Sequence, residues 1–337
     1  MPIAKKIGNL SPVAIGPIVL DGPVMLAPMS GVSDLGMRRI ARRFGAALVF
    51  SEMVAAQTFL QGDAEAAMRA EGDGVSPHAV QLVGRDPGLM AETARRVEGA
   101  GAKIIDINMG CPARKVSGAL AGAALMRDLD LAERIVSSVV EAVRVPVTVK
   151  MRLGWDEASL NAPELARRAE RAGAGMVTIH ARTRAQFYDG RADWSAVRAV
   201  VEAVGVPVVV NGDCAGVDDA RAMLAHSGAR AVMVGCAAVG APWLPGAMAR
   251  ALQEGAALRL PSPESRREAA LAHLDWLLSA LGRRAGLRHA RKHLAAYSEK
   301  TGAPPDLRRA LVTTDDPERA QGLLALSFGA HPCLAAA

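Results

Sequence analysis

Residues 103–112 read KIIDINMGCP, and the type of sheet can be predicted from them. The run Lys103–Asn108 is short, mostly apolar and rich in isoleucine, which predicts a strand buried on both faces. Such strands are typical of parallel sheets that helices cover on both sides. Gly110 and Pro112 then predict a turn, which would place Cys111 at the carboxyl end of the strand.

The same unit of strand, loop and helix recurs along the chain. Seven further runs are predicted strands: Val24–Met29, Ala47–Val54, Ala79–Val83, Val147–Arg152, Met176–Ala181, Val208–Asn211 and Ala231–Gly235. Helix-period segments alternate with them, at Asp34–Phe44, Leu89–Gly99, Leu131–Val143, Pro163–Ala172, Trp194–Val204 and Asp218–His226. Eight such units favour a closed α/β barrel, the (β/α)8 TIM barrel, over an open sheet.

The strand pattern stops after about residue 240. Helix-period segments follow at Glu264–Leu281, Leu287–Glu299, Pro305–Val312 and Pro317–Ser327, which predicts a small all-helical C-terminal domain. We therefore expect a barrel domain over residues 1–250 and a helical domain over residues 251–337.

Charge is concentrated in the helical part of the chain. The formal net charge is +6, and residues 261–310 contain ten Lys or Arg against five Asp or Glu. A basic surface of this kind suits a polyanionic partner, although a solvated helix face explains it equally well.

Cysteine usage and hydropathy exclude several classes of protein. Cys111, Cys214, Cys236 and Cys333 form no C-x-x-C pair, so we expect neither a metal site nor a disulfide scaffold. The uncharged run Ala231–Ala249 contains two prolines and several glycines, so we expect no membrane span. No secretory signal is evident, and the expected location is the cytoplasm.

Polar residues stand at nearly every predicted strand end. Because barrel enzymes carry their active sites at the carboxyl ends of the strands, this pattern indicates a site on that rim. The residues concerned are Ser30, Glu52, Gln81, Asn108, Cys111, Lys150, Arg152, His180, Arg182, Asn211, Asp213 and Cys236.

With these motifs in view, the chain resembles the bacterial tRNA-dihydrouridine synthases, most closely the B-type branch. The matching segments include residues 27–34 (APMSGVSD), 106–112 (DINMGCP), 146–156 (PVTVKMRLGWD), 180–184 (HARTR) and 188–194 (YDGRADW). The resemblance covers residues 20 to about 300. It implies FMN at the barrel mouth, NADPH as reductant, and tRNA as substrate and partner of a monomeric enzyme.

The resemblance also implies a reaction and roles for the rim residues. A hydride from flavin N5 would reach C6 of a uridine, and Cys111 would protonate C5, which a thiol with a pKa near 8.5 can do at neutral pH. The expected cofactor-binding residues are Pro28, Met29, Ser30, Gln81, Lys150, His180, Asn211, Gly212, Asp213, Gly235 and Cys236. The expected substrate-binding residues are Asn108, Arg152, Arg182, Arg184, Arg291 and Lys292.

Structural alternatives exist for several of these residues. Lys150 could form an ion pair with Asp106 or Glu52, and Arg152 could serve only the fold. The family usually has Arg where this chain has Cys236, and Trp where it has Ala296. A barrel reductase of a free pyrimidine, like dihydroorotate dehydrogenase, and a non-catalytic RNA-binding homologue are the competing functions.

Overall fold

The computed structural model describes residues 12–113, 116 and 120–329, so Cys333 lies outside the described residues. A small antiparallel hairpin comes first, formed by β1 (Ala14–Ile15) and β2 (Ile18–Val19). Eight parallel strands follow: β3 (Val24–Leu26), β4 (Val54–Ala55), β5 (Ala79–Val83), β6 (Ile104–Met109), β7 (Val147–Arg152), β8 (Met176–His180), β9 (Val208–Asn211) and β10 (Ala231–Val234).

These strands form one curled sheet in the order β3-β10-β9-β8-β7-β6-β5-β4. The segment before β4 closes the ring, because Val49 bridges to Leu26 of β3 and Phe50 bridges to Ala79 of β5. The predicted TIM barrel is therefore confirmed.

The predicted second strand, Ala47–Val54, is not continuous. Its residues pair as an isolated bridge on each side and then again at β4. Between these points the Ser51 hydroxyl accepts the N–H of Gln81 at 2.9 Å and donates to the Glu52 carbonyl at 2.7 Å. Because a side chain takes over the ladder contact here, the regular strand is interrupted.

The barrel interior changes character along its axis. Its amino-terminal half is apolar, with Met25, Phe50, Ile104 and Met233 packed together and the hairpin residue Ile15 closing the bottom. Two residues further along the strands, the inward positions become polar, as at Asp106 after Ile104 and at Asn211 after Val209. This alternation leaves an apolar plug beneath a polar layer at the carboxyl end.

Helices cover the outside of the barrel, and polar caps set where several of them begin. They are α1 (Leu35–Arg43), α2 (Ala56–Leu60), α3 (Ala64–Ala70), α4 (Pro87–Gly99), α5 (Leu129–Ala142), α6 (Ala162–Arg171), α7 (Arg198–Val201), α8 (Val217–Ser227) and α9 (Leu244–Glu254). Asp34, Asp63, Asp86 and Asp128 cap α1, α3, α4 and α5, each accepting a backbone N–H of the first turn. Helices α2, α3 and α9 have no counterpart among the helix-period segments predicted from the sequence.

Four helices follow the barrel: α10 (Pro263–Leu281), α11 (Arg283–Lys300), α12 (Pro305–Thr313) and α13 (Pro317–Ser327). The helical C-terminal region is thus confirmed, whereas α9 runs across the predicted boundary at residue 250, which stays a prediction. Helix α10 packs on α1, and Gly36 allows this, because a Cβ there would lie 2.8 Å from the His273 ring and 2.9 Å from the Trp276 ring. Within the described chain, no helix combines the length and apolar character that crossing a bilayer requires.

Candidate functional site

The polar layer at the carboxyl end brings together residues from five neighbouring strands. The strand register places Gln81 beside Asp106, Asp106 beside Thr148, and Asn108 beside Lys150. It also places Arg152 beside His180, and His180 beside Asn211. Residues far apart in sequence thereby form a continuous part of the ring at the carboxyl end, from β5 to β9.

A hydrogen-bond network forms the buried part of this ring. The Gln81 amide donates to Asp106 at 2.6 Å and accepts from the Asn108 amide at 2.8 Å, while Thr148 donates to Asp106 at 2.6 Å. Burial raises the pKa of Asp106 to about 6, against the opposing hydrogen bonds. The Gln81 side chain is fully buried, so the structure uses it to support Asn108 instead of leaving it open at the rim.

Asn108 shapes the turn that carries Cys111. Its Oδ1 accepts the backbone N–H of Gly110 at 3.1 Å and that of Cys111 at 2.9 Å. The Cys111 carbonyl in turn accepts the N–H of Ala123 at 3.1 Å. The Cys111 thiol is half-buried and lies within electrostatic range of Lys150 and Arg152. The thiol therefore sits at the barrel mouth, where the sequence places it.

Lys150 and His180 are ionisable groups with displaced pKa values. Burial, together with the nearby Arg152 cation, lowers the pKa of Lys150 to about 8. Its ammonium donates to Asn211 Oδ1 at 3.1 Å, so an amide, and not the carboxylate of Asp106 or Glu52, is its hydrogen-bond partner. Burial and the charges of Lys150 and Arg152 lower the pKa of His180 to about 2, which makes this imidazole neutral.

The loops after β9 and β10 hold the remaining expected cofactor residues. Asp213 accepts from Arg182 at 2.7 Å and from the backbone N–H of Ala192 at 2.7 Å, and the Gly212 carbonyl accepts from Trp194 at 2.9 Å. Arg182 and Asp213 thus bind each other and fix the loop above β8. After β10, Gly235 leads into a short turn on which Cys236 is exposed.

The arginines expected at the substrate differ in where they point. Arg152 is buried, and it donates to the carbonyls of Gly110 at 2.8 Å, Thr183 at 2.8 Å and Phe187 at 2.7 Å. This favours the structural alternative, because these bonds hold the loops around Cys111. Arg184 stacks on Trp155 with its guanidinium carbon 4.7 Å from the ring centroid.

Arg291 and Lys292, the two basic residues expected from the helical region, lie in different surroundings. Arg291 is exposed enough to form a surface ion pair with Asp315 at 2.6 Å. Lys292 instead points at the barrel, and a Cβ on Gly31 would lie 3.0 Å from its Nζ. The structure therefore brings Lys292 to the strand-one loop and leaves Arg291 outside the mouth.

A buried cluster that was not predicted from the sequence lies at the junction of the barrel and the C-terminal helices. His273 Nε2 lies 3.0 Å from Asp34 Oδ1, and His293 Nε2 lies 3.2 Å from Asp34 Oδ2. The three ligand-type atoms lie within 4.8 Å of one another, a spacing that could suit a cation, but both imidazoles already face the carboxylate. The one feature of the sequence that points to this cluster is Asp34, which caps α1 directly after the segment that contains Met29 and Ser30.

A cleft of about 660 Å³ opens beside the mouth, between the strand-one loop and the start of α4. Ser30, Arg69, Arg85 and Ala113 are among the residues that line it. The cleft is large enough for part of a nucleotide, and it contains both basic and acidic side chains.

The residues at the mouth fit a flavin. His180 Nε2 is buried and has no hydrogen-bond partner among residues 12–113, 116 and 120–329, so it can donate to or accept from a polar ring edge. Lys150 supplies a cation in the same layer. A Cβ at Gly235 would only just contact Ala27 and Met29 Sδ, both at 3.8 Å, so glycine leaves space between the first and last strands.

The sequence is similar to those of known proteins over almost its whole length. The family described as "Dihydrouridine synthase (Dus)" matches residues 25–328. The chain is 49% identical to a "Probable tRNA-dihydrouridine synthase" of Rhodobacter capsulatus, over 94% of this chain and 98% of the relative. It is 41% identical to the "tRNA-dihydrouridine synthase B" of Xanthomonas campestris, over 96% and 99%.

Solved structures confirm the barrel architecture. Morphinone reductase superposes with a TM-score of 0.51 at 15% identity, covering 78% of this chain and 93% of that protein. Histamine dehydrogenase from Rhizobium sp. 4-9 gives a TM-score of 0.55 at 15% identity, covering 79% of this chain and 50% of that protein. At such identities the likeness concerns the fold alone.

Proposed function

Because the chain belongs to the dihydrouridine synthase family, we propose that it reduces uridines of tRNA to 5,6-dihydrouridine with FMN as cofactor and NADPH as reductant. The single observation that carries this proposal is the position of Cys111. Its half-buried thiol stands at the barrel mouth, on a turn that Asn108 holds, within electrostatic range of Lys150.

The reaction adds one hydride and one proton across the C5–C6 bond of uracil. Bound FMN would supply the hydride to C6, after receiving it from NADPH. The Cys111 thiol would give its proton to C5, and solvent would restore that proton afterwards. Held by two hydrogen bonds to Asn108 and one to Ala123, the turn keeps the sulfur in place for this transfer.

The chain's own groups divide the work of binding the flavin. Lys150 would stabilise negative charge on the reduced ring, and His180, being neutral, would hydrogen-bond without adding charge. Met29, Pro28 and Gly235 would form the wall on which the ring stacks. Asn211 holds Lys150 in place, and Arg182 with Asp213 fixes the loop above, so those three position the site.

The helical domain would bind the tRNA backbone. Arg284 and Arg288 are exposed on α11, and the Arg291 and Arg283 ion pairs are surface pairs of the kind that contributes little to stability. Phosphates can therefore replace Asp315 and Glu318 at little cost. We expect tRNA affinity to fall steeply as salt rises, as counterion release requires.

A reconstituted assay tests the proposal. The full-length protein with FMN and NADPH should convert uridine in unmodified tRNA transcripts to dihydrouridine, detected by mass spectrometry of the digested RNA. Cys111→Ser should lower the rate by about 100-fold or more, the usual contribution of a positioned acid. Cys214→Ala is the control, because Cys214 is buried in the loop between β9 and α8, and it should keep the wild-type rate.

Two outcomes would contradict the proposal. If Cys111→Ser reduces tRNA as fast as the wild type, the thiol is not the acid. If the protein binds no FMN, or reduces free orotate and leaves tRNA unchanged, the family function does not apply to this chain.

A further inference from the structure

The loop after strand one is a compact unit. Val32 and Ser33 both donate their N–H to the Met29 carbonyl at 2.9 Å, and the Ser33 hydroxyl accepts the N–H of Met29 at 2.9 Å. Directly after it, Asp34 caps α1 by accepting the N–H of Met37 at 3.0 Å. A displacement of Asp34 would therefore reach Met29, which forms part of the proposed flavin wall.

The helical domain contacts this loop and the residue directly after it at two points, Asp34 and Gly31. His273 Nε2 of α10 hydrogen-bonds the Asp34 carboxylate at 3.0 Å, and Tyr297 supports His273 with an oxygen 3.0 Å from Nδ1. His293 Nε2 of α11 lies 3.2 Å from the same carboxylate, at an angle that forms no hydrogen bond within the described residues. The second point is Gly31, whose N–H donates to Glu52 while Lys292 lies directly above it. Gly31 has a φ of +68°, a conformation in which glycine avoids the strain that other residues would meet.

The contact at Asp34 depends on the charge of its carboxylate. Burial alone would raise the pKa of Asp34, but His273 and His293 hold it well below its ordinary value, so the carboxylate is an anion. A buried anion is costly unless polar groups surround it. The carboxylate is therefore tied to the helical domain, and ordinary apolar packing could not replace these partners.

We infer that His293 and Lys292 are positioning residues that couple the helical domain to the flavin side of the mouth through the strand-one loop. RNA bound on the helical domain would then stabilise the loop conformation that holds FMN, and FMN would strengthen RNA binding by the same factor. The inference rests on the proposed function, since it takes FMN at the mouth and tRNA on the helices.

The experiment measures FMN affinity of the full-length protein by quenching of flavin fluorescence, with and without saturating tRNA transcript. In the wild type, tRNA should tighten FMN binding by about fivefold or more, the lower end of typical coupling between sites. His293→Gln should bring this ratio close to one. Lys292→Gln, a change at a half-exposed residue that the fold tolerates more readily, should reduce the ratio in the same direction.

His289→Gln is the matched control. His289 lies one turn earlier on α11, is half-buried, and has its ring 6.3 Å from that of His293, so the same substitution leaves the Asp34 contacts intact. It should keep the wild-type ratio. A purely structural role of His293 would lower the melting temperature and weaken FMN binding equally with and without tRNA, which leaves the ratio unchanged.

The outcomes distinguish a failure of the coupling from a failure of the proposed function. A wild-type ratio near one, or an unchanged ratio in both His293→Gln and Lys292→Gln, overturns the coupling while the proposed function stands. A wild type that binds neither FMN nor tRNA overturns the proposed function, and the coupling falls with it.

Discussion

Single residues at the mouth owe their chemistry to neighbours on other strands. Asp106 carries a raised pKa because it is buried, and Lys150 a lowered one for the same reason, although the two lie in adjacent layers of the barrel. Asn108 shows the same dependence, because its donor binds Gln81 while its acceptor holds two backbone groups of the Cys111 turn.

Asn108→Ala should slow uridine reduction by about tenfold to 100-fold, because the freed turn no longer holds the thiol in line with the base. Single-turnover kinetics with preloaded FMN would measure the effect apart from cofactor binding. Asn108→Asp keeps an acceptor for both N–H groups, and we expect it to recover part of the rate. A wild-type rate in Asn108→Ala would show that other contacts define the turn.

Among the elements, the junction of α1 with α10 matters most for the site. Asp34 caps the start of α1, and the His273 ring that binds it lies against Gly36 in the first turn of the same helix. The close approach of the two helices therefore fixes both the buried cluster and the end of the strand-one loop.

Gly36→Ala should lower the free energy of unfolding by about 1–3 kcal/mol, as overpacking of a tight contact usually does. Gly322→Ala provides the comparison, because a Cβ at Gly322 in α13 meets nothing within 4 Å. That change should raise the free energy of unfolding by about 0.5–1 kcal/mol through helix propensity. Urea denaturation of both variants measures the difference, and equal effects would contradict a close packing at Gly36.

At the scale of the whole molecule, the buried histidines make stability depend on pH. Burial, and then the neighbouring His273, lowers the pKa of His293 to about 4, whereas an unfolded chain has a value near 6.5. Between these values the unfolded chain binds a proton that the folded protein does not. The stability that neutral His293 contributes is therefore complete above about pH 6.5 and is lost as the pH falls toward 4.

His293→Gln should accordingly flatten the fall in unfolding free energy between pH 6.5 and pH 4.5. Asp34, His273, His289 and Lys292 face His293, and Asp34 remains ionised across this range. Denaturant titrations at several pH values would give the slope. If the unfolding free energies of wild type and variant fall equally between pH 6.5 and pH 4.5, His293 does not cause this pH dependence.

Much of the fold and the list of mouth residues could be predicted from the sequence. Apolar runs of strand length, helix periods between them and polar residues at the strand ends gave the barrel, its rim and the helical C-terminal region. These features are local, since periodicity and turn chemistry depend on neighbours along the chain. The position of Cys111 was predicted in the same way, from a turn that directly follows a strand, whereas its role as proton donor was implied by the family resemblance.

Only the tertiary structure decided what each rim residue does. Gln81 and Arg152 looked equivalent to their neighbours in the sequence, yet one is enclosed by Asp106 and Asn108 and the other binds three carbonyls. The two histidines that lie beside Asp34 are more than 230 positions away from it in the sequence. Hydrogen-bond partners, burial and pKa depend on which side chains meet in space, and contacts between distant segments leave no periodic signal in one sequence.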